Sequence, residues 1–331
     1  MSVPDIDSMF LDRVLPSLGS LQGVPSDRRW IFVCGQQGSG KSTLVRALQS
    51  ELGADQAQRI CGDEIVALLP PDAPADRDDL VAAVIDRLVD HGLHLGAHIL
   101  WERPTPGTIE GLALLARSFG YRVECVVLTV PTLDSWLAAT RRGLDGLACG
   151  QSGVQLVPWP NVQVTARRWP ALLARAEDAV LFDRVTVIDR QGQTCFQNDR
   201  RPSGQWAAPP FAFESLVIER ARPRSAADLA ALLARWTDLR AEITTAAQAA
   251  WPPETLAEID SLLTALATDP GTGFDLNQPS DPVAARAWIT RLRTDLDEIL
   301  SGPEAETSRP SLTARCDRLI ALVRQVAGLP D

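Results

Sequence analysis

Lysine is almost absent from this chain of 331 residues: its 32 basic residues include a single lysine, Lys41, and the others are arginines. This bias indicates a genome whose base composition replaces lysine by arginine wherever the two are interchangeable. The two side chains differ most where a charge must fit a narrow cradle, because an ammonium group is compact and a guanidinium group is planar. We therefore expect Lys41 to occupy a position that arginine cannot fill.

Long apolar runs and an excess of positive charge are also missing. Residues 123–130, interrupted by Glu124, have the length of a strand, whereas a membrane helix needs about 20 residues. The first 30 residues lack the basic start and the following apolar stretch of a secretory signal peptide. We therefore expect a cytoplasmic protein that does not bind membranes. The net charge of −10 argues against nucleic acid as a partner, because binding along its backbone needs a clustered positive surface.

The cysteines show no CxxC pairing, and several lie in apolar segments typical of strands. This pattern predicts buried, reduced thiols in a cytosolic protein. The six positions are Cys34, Cys61, Cys125, Cys149, Cys195 and Cys316.

A glycine-rich motif surrounds the single lysine. Residues 29–34 form a short apolar run typical of a buried strand, and residues 42–52 have helical apolar spacing. This order of strand, loop and helix is that of a P-loop, in which backbone N–H groups surround phosphates, the lysine contacts the outer phosphates and Ser42 can bind Mg²⁺. We expect ATP or GTP and Mg²⁺ as cofactors. The predicted nucleotide-binding residues are Gly35, Gln36, Gln37, Gly38, Ser39, Gly40, Lys41, Ser42 and Thr43.

Two carboxylates follow the next predicted strands. Asp63 comes after the strand at 58–61, which we expect to lie next to the P-loop strand. It is the candidate base that accepts the proton of an acceptor hydroxyl. An N-cap role for the helix at 64–69 is the alternative, and the two roles can coexist. Glu102 follows the strand at 97–101 and is a candidate for ordering Mg²⁺ water or holding substrate hydroxyls.

The remaining motifs favour a small-molecule kinase over other P-loop proteins. The guanine-reading N-K-x-D motif of GTPases needs a second lysine, and an apolar strand ending in Asp-Glu, as in ATP-driven motors, is missing. Kinases of this class use arginines to stabilise the transferring phosphoryl group. The candidates are Arg141 and Arg142, which could instead merely favour a helix C-terminus, and Arg167 and Arg168 in the Gly- and Pro-rich segment 143–170.

Between about residues 29 and 199 the chain resembles the zeta-toxin family of P-loop kinases, whose members phosphorylate UDP-N-acetylglucosamine. The strongest matches are Gly35 to Thr43, then Cys61-Gly62-Asp63-Glu64 before Leu69-Pro70, and Ile99-Leu100-Trp101-Glu102 before Thr105. Weaker matches follow in the same order at Gly120-Tyr121-Arg122-Val123, Ser135-Trp136-Leu137, Val157-Pro158 and residues 185–193.

This resemblance implies roles for the candidate residues. Asp63 would activate the sugar 3′-hydroxyl, Glu102 and Thr105 would contact substrate or metal, and Arg141 or Arg142 would be the first phosphate-binding arginine.

Two departures from the family pattern affect this assignment. Gln155 stands where the second arginine is expected, and Arg103-Pro104 replaces the usual Gly-Thr. Loss of a transition-state arginine can lower the rate by several orders of magnitude. Either Arg167 or Arg168 compensates, or the substrate differs, or the activity is weak.

The expected fold class is α/β: a P-loop kinase core with a doubly wound, mainly parallel sheet, followed by an all-α C-terminal domain. Residues 225–331 contain four helical patterns, at 225–247, 253–268, 282–301 and 311–327, and they carry a net charge of −7. The predicted parts are an N-terminal helical extension (1–28), the kinase domain (29–200), a Pro-rich linker (201–224) and the acidic helical domain (225–331).

The acidic helices have two interpretations. The resemblance implies a helical antitoxin as partner, because such proteins cover the nucleotide site of zeta toxins. The C-terminal helices could act similarly within the chain, since carboxylates near the loop compete with phosphate. Alternatively, they form a solvated bundle that docks for stability or dimerises.

The sequence as a whole predicts an ATP/Mg²⁺-dependent phosphotransferase that acts on a hydroxyl of a nucleotide sugar, as the toxin of a toxin-antitoxin system. The alternatives are a nucleotide-binding regulatory module with weak or lost kinase activity, and a kinase of another small metabolite.

Overall fold

The computed structural model of the chain describes residues 6–17, 21, 24–69, 77–150, 156–222, 224–246, 253–268, 282–326 and 329. In this part of the chain, one six-stranded sheet has the strand order β2-β3-β1-β4-β5-β6. Neighbouring strands are parallel except for β6, which runs antiparallel to β5 and which the sequence did not predict. The strands are β1 (Arg29–Cys34), β2 (Ala57–Ile60), β3 (His98–Arg103), β4 (Arg122–Leu128), β5 (Arg184–Ile188) and β6 (Thr194–Asp199).

Helices connect the strands and extend beyond the sheet. Three short consecutive helical segments, Ile6–Met9, Phe10–Val14 and Leu15–Ser17, precede β1. No described helix is both long enough and apolar enough to cross a membrane. The longer helices are α1 (Lys41–Leu52), α2 (Gly62–Leu68), α3 (Arg77–Leu95), α4 (Ile109–Ser118), α5 (Thr132–Ala148), α6 (Trp159–Asp178), α7 (Ala212–Arg220), α8 (Ala226–Ala246), α9 (Pro253–Thr268), α10 (Pro282–Ser301) and α11 (Arg309–Val326), and a 3₁₀ helix (Pro303–Ser308) precedes α11.

The central strand β1 is covered by helices on both faces. Side chains alternate along a strand, so Trp30 and Phe32 join the larger apolar cluster on one face. Ile31 and Val33 contact the other face, where Val45 of α1 packs. This confirms the predicted doubly wound α/β core.

Residues 143–170 differ from the predicted Gly- and Pro-rich connection, because most of the described part is helical. Helix α5 continues through Gly143, which is buried, to Ala148. Helix α6 begins at Trp159 with a proline in its first turn, where no backbone N–H is needed. Pro160 fits the start of α6, whereas Pro170 lies inside the same helix.

Residues 201–224, predicted to be a Pro-rich linker, include the buried helix α7. The backbone N–H groups of Phe211 and Ala212 both donate to Glu177 Oε1 at 2.8 Å, so a carboxylate from α6 caps this helix. The sequence does not reveal this helix, because its cap lies 34 residues away and no local pattern indicates it.

The four predicted C-terminal helices correspond to α8, α9, α10 and α11. Trp236 of α8 packs with Trp136 and Trp159 of the core in one apolar cluster. Trp288 of α10 belongs to the larger apolar cluster, which includes Trp30 and Phe32 of β1. Side chains of the C-terminal helices are therefore part of two apolar clusters of the kinase core.

A buried network of ion pairs also connects α11 to the core. Arg315, with a side chain only 4% exposed, donates through Nε to Glu214 of α7 and through Nη2 to Glu177 of α6, each at 2.8 Å. The two carboxylates hold the pKa of Arg315 above its usual range against the effect of burial. All six cysteines are free thiols, as predicted; four are buried, but Cys149 is exposed and Cys195 half-buried.

Candidate active site

The glycine loop between β1 and α1 is fixed against α5. Gly38 has a φ of +78° and Gly40 a φ of +98°, which a residue with a side chain rarely adopts. A Cβ atom on Gly38 would also overlap the backbone oxygen of Ser135. The side chain of Gln36 donates through Nε2 to Val130 O at 2.6 Å and to Ser135 Oγ at 2.9 Å. These contacts fix the loop as a curved cradle against α5.

Lys41 is the first residue of α1 and lies in this cradle. Its side chain is buried, and Nζ donates to the backbone oxygen of Gln36 at 2.9 Å. Burial lowers the pKa of Lys41 to about 8, although the nearby Glu102 and Asp63 act in the opposite direction. Among the described residues, Nζ has one hydrogen-bond acceptor, a neutral oxygen, so this buried ammonium is suited to bind a phosphate oxygen.

Ser42 and Glu102 form a pair beside the lysine. The Ser42 hydroxyl donates to Glu102 Oε2 at 2.9 Å. The second oxygen, Glu102 Oε1, is buried and has no hydrogen-bond partner in the described residues. Burial raises the pKa of Glu102, and the Ser42 hydroxyl, the Lys41 charge and the Cys61 thiol partly offset this effect. A hydroxyl and a free carboxylate oxygen are the hard ligands that Mg²⁺ prefers, so these two residues fit the predicted metal.

The strand order changes which carboxylate is adjacent to the loop strand. Asp63 was predicted to follow the strand next to β1, but β3 lies between β1 and β2. Glu102, at the end of β3, is therefore the carboxylate on the neighbouring strand. The chain order of the strands does not reveal this, because the connection from β2 to β3 reverses their spatial order.

Asp63 nevertheless faces the same side of the sheet. It lies in the first turn of α2 with 74% of its side chain exposed, and its Oδ2 is 3.4 Å from Arg142 Nη2 of α5. The N-cap of α2 is Cys61, and no side chain caps the helix, so the alternative role of Asp63 as an N-cap is wrong. Asp63 and Arg142 thus form an accessible pair of opposite charges above the P-loop.

The other predicted arginines have different surroundings. Arg141 contacts Asp145 on its own helix at 2.7 Å and Glu242 of α8 at 2.6 Å. Arg167 contacts Glu298 of α10 at 2.9 Å. Both therefore face the C-terminal helices.

Two further predicted substrate residues lie on α6 and after β3. Arg168 is half-buried on α6, next to Trp169, whose Nε1 donates to Pro104 O at 3.1 Å. Thr105 lies in the bend after β3. Gln155, which replaces the family's second arginine, lies outside the described residues. Arg103 lies over the Trp101 ring at 5.0 Å.

Two residues that position the site were not predicted from the sequence. Arg220, at the end of α7, donates through Nη2 to Gln36 Oε1 at 2.9 Å. Asp134, in the first turn of α5, pairs with Arg235 of α8 at 2.9 Å and with Arg224. Arg220 is 184 residues from Gln36, and no local signal could have identified such a contact.

The sheet, the glycine loop and the Ser42–Glu102 pair together define a P-loop kinase fold. The family model described as zeta toxin matches residues 24–201, more than half of the chain. The chain therefore belongs to the zeta toxin family, which confirms the predicted resemblance.

Solved structures agree with this fold. A chain from the PezAT chromosomal toxin-antitoxin system of Streptococcus pneumoniae is 20% identical, with a TM-score of 0.55, over 72% of this chain and 99% of that chain. Two chains of AvrRxo1-ORF1:AvrRxo1-ORF2 structures, one with sulphate ions and one with ATP, are each 14% identical. The chain with sulphate ions has a TM-score of 0.45 and covers 79% of this chain and 82% of its own length. The chain with ATP has a TM-score of 0.43 and covers 88% and 86%. Both TM-scores are too low to support a conclusion. No curated protein matches the chain.

Proposed function

We propose that this protein is a kinase that transfers the γ-phosphoryl group of ATP to a hydroxyl of a small metabolite, with a nucleotide sugar such as UDP-N-acetylglucosamine as acceptor. The observation that carries the proposal is the convergence of Lys41 and the Ser42–Glu102 pair on one cradle, with the accessible Asp63 beside it. Membership of the zeta toxin family supports kinase chemistry.

The binding roles follow from the geometry of the loop. Backbone N–H groups at the start of α1 attract phosphate oxygens, and the helix dipole adds to this attraction. The Lys41 ammonium, which donates to Gln36 O, would bind the outer phosphates of the nucleotide. Ser42 and Glu102 would hold Mg²⁺, which neutralises charge on the transferring phosphate when bound.

The acceptor hydroxyl requires a group that orients it and accepts its proton. Asp63 is accessible, and Arg142 lies 3.4 Å away from it on α5. We assign Asp63 as the base and Arg142 as the cation that stabilises the transferring phosphoryl group. Thr105 and Arg168 are candidates for contacts to the rest of the acceptor.

One observation favours the second candidate function, a regulatory nucleotide-binding module with weak activity. The guanidinium of Arg141 binds two carboxylates, Asp145 and Glu242. Together with Gln155, this leaves Arg142 as the arginine best placed beside Asp63.

We further propose that the protein is the toxin of a toxin-antitoxin system, in line with the family and with the PezAT system named above. An antitoxin protein, or α8 within the chain, would restrain it.

Phosphoryl transfer from labelled ATP tests the kinase proposal. Wild type is incubated with Mg²⁺ and UDP-N-acetylglucosamine, and in parallel with a metabolite extract. We expect Asp63→Asn to lower kcat by about 100-fold or more, because general bases contribute about 10²–10⁴-fold, while the Kd of ATP stays nearly unchanged. The exposed Asp86 of α3 provides the matched control, Asp86→Asn.

Three results would contradict parts of this assignment. Wild-type turnover in Asp63→Asn would exclude Asp63 as base, and an equal loss of ATP binding would make it a metal ligand. ATP binding by wild type without transfer to any hydroxyl would favour the regulatory module.

A further inference from the structure

A cavity of about 500 Å³ lies between the kinase core and the C-terminal helices. Its walls come from α6 and α7 on one side and from α8, α9 and α10 on the other. None of the described residues that line it belongs to the glycine loop, β2 or β3. Its size lies within the range of about 300–1,000 Å³ typical of small-molecule sites. The cavity is thus a space separate from the P-loop site.

Arginines dominate the charged lining of this cavity. Five arginines face it, against two acidic residues, Asp295 and Glu298. Arg167 pairs with Glu298 at 2.9 Å, and Arg222 and Arg224 pair with Glu219 and Asp134, which do not line the cavity. The remaining two lining arginines are Arg220 and Arg291, and the charge of Asp295 acts on both.

Arg220 is a desolvated cation whose hydrogen-bond partners among the described residues carry no negative charge. Its guanidinium donates to two neutral oxygens, Ala166 O at 2.6 Å and Gln36 Oε1 at 2.9 Å. Its Nε has no partner, and Arg220 forms no ion pair, in the described part of the chain. Burial lowers the pKa of Arg220 to about 10, with Asp295 acting weakly in the opposite direction. An anion in the cavity would supply the charge that this site lacks.

Asp295 is the acidic group whose charge acts on both Arg220 and Arg291. The residue is exposed to solvent, yet the protein packed around it desolvates the carboxyl group and raises its pKa to about 6. Glu298 acts in the same direction, and Arg291, Arg220 and Arg167 oppose it. Three arginines therefore act on the Asp295 carboxylate, and of these Arg220 forms no ion pair with any described residue.

The rest of the lining is largely apolar. Leu229 of α8, Leu262 of α9 and Ile299 of α10 face the cavity, together with Trp159 of α6. Leu262 remains 37% exposed, although it lies between packed helices. A ligand that fits this lining has an apolar part and a compact anionic part.

We propose that this cavity is a binding site for a small organic phosphate, with the phosphate group on Arg220 and Arg291 and the apolar part against Leu229, Leu262 and Ile299. Phosphate is preferred over carboxylate because two guanidinium groups from different helices can each form paired hydrogen bonds with its oxygens. The site is distinct from the proposed acceptor site at Asp63.

Calorimetric titration with phenyl phosphate tests this proposal on the full chain. The P-loop is first saturated with Mg²⁺ and a non-hydrolysable ATP analogue, so that further binding reports a second site. We expect saturable binding of one equivalent. Arg291→Gln should weaken it about tenfold or more, because hydrogen bonds to a charged group contribute about 1.5–3 kcal/mol. Arg293→Gln, on the exposed side of the same helix, is the matched control and should leave the affinity unchanged.

A second variant and a second probe keep the proposal open to refutation. Thr290→Trp, at the cavity wall, should block binding by filling the space even if Arg291→Gln proves unstable. The absence of saturable binding up to about 10 mM, or equal affinities of wild type, Arg291→Gln and Thr290→Trp, would overturn the proposal. Benzoate binding as tight as that of phenyl phosphate would overturn the assignment to phosphate.

Discussion

Replacing Glu242 by glutamine should release Arg141 from α8 and raise the rate of phosphoryl transfer. Glu242 Oε1 lies 2.6 Å from Arg141 Nη1, and this ion pair joins α8 to the helix that carries both candidate arginines. Removing the C-terminal helices is a weaker test, because Leu232 and Trp236 cover apolar side chains of α5 and α6. A truncated core would expose that surface and aggregate, whereas Glu242→Gln changes one exposed charge.

The structure limits the size of this effect. The Arg141 and Glu242 side chains are 43% and 45% exposed, and ion pairs of this kind contribute about 0.2–1 kcal/mol. Arg141 also retains Asp145 in the variant. We therefore expect an increase in kcat/KM of at most about fivefold at low salt. The difference between variant and wild type should shrink as salt is added, because the Debye length falls to about 10 Å at 0.1 M.

Steady-state transfer from labelled ATP to the acceptor, measured across a salt series, provides the assay. Glu306→Gln serves as the matched control, since Glu306 is exposed and lies in the 3₁₀ helix before α11. Equal rates for wild type and Glu242→Gln at every salt concentration would refute restraint by α8. A rise of 100-fold would show that α8 does more than hold one surface charge.

Two further predictions concern buried charges. Arg315→Ala should lower the free energy of unfolding by about 3–5 kcal/mol, because Glu177 and Glu214 would remain buried without their cation. Urea unfolding measures this loss, and the control is Arg318→Ala, which replaces an exposed arginine of the same helix. Equal stabilities of the two variants would contradict the prediction. Since burial lowers the pKa of Lys41 to about 8, ATP binding above that pH requires uptake of a proton, and its affinity should fall by up to about tenfold per pH unit. Calorimetry that gives a constant affinity from about pH 7 to 9.5 would contradict the protonation of Lys41 on binding.

The local motifs were predictable because each depends on residues close together in the sequence. The glycine loop, the strand before it and the helix after it follow from spacing and residue type, and Lys41 follows from the absence of other lysines. The four C-terminal helices were predicted for the same reason, since apolar stripes in two of them and start or end signals at several of them are local.

Contacts between distant segments were not predictable in this way. The cap that Glu177 provides for α7 joins groups that are 34 to 36 positions apart in the sequence. The hydrogen bond from Arg220 to Gln36 joins residues that are 184 positions apart. The prolines in residues 201–224 therefore led to the prediction of a linker. The segment instead includes helix α7, which the buried carboxylate of Glu177 caps. The adjacent Arg141 and Arg142 were interpreted together, but successive residues on a helix point about 100° apart, so only Arg142 reaches Asp63.

The most direct test of the nucleotide cradle is phosphoryl transfer by Lys41→Arg. In a single-turnover reaction with labelled ATP, Mg²⁺ and UDP-N-acetylglucosamine, wild type should form a labelled sugar nucleotide. Lys41→Arg should form none, because a planar guanidinium does not fit the buried position that Nζ occupies 2.9 Å from Gln36 O. Transfer by Lys41→Arg at a rate close to that of wild type would contradict the account.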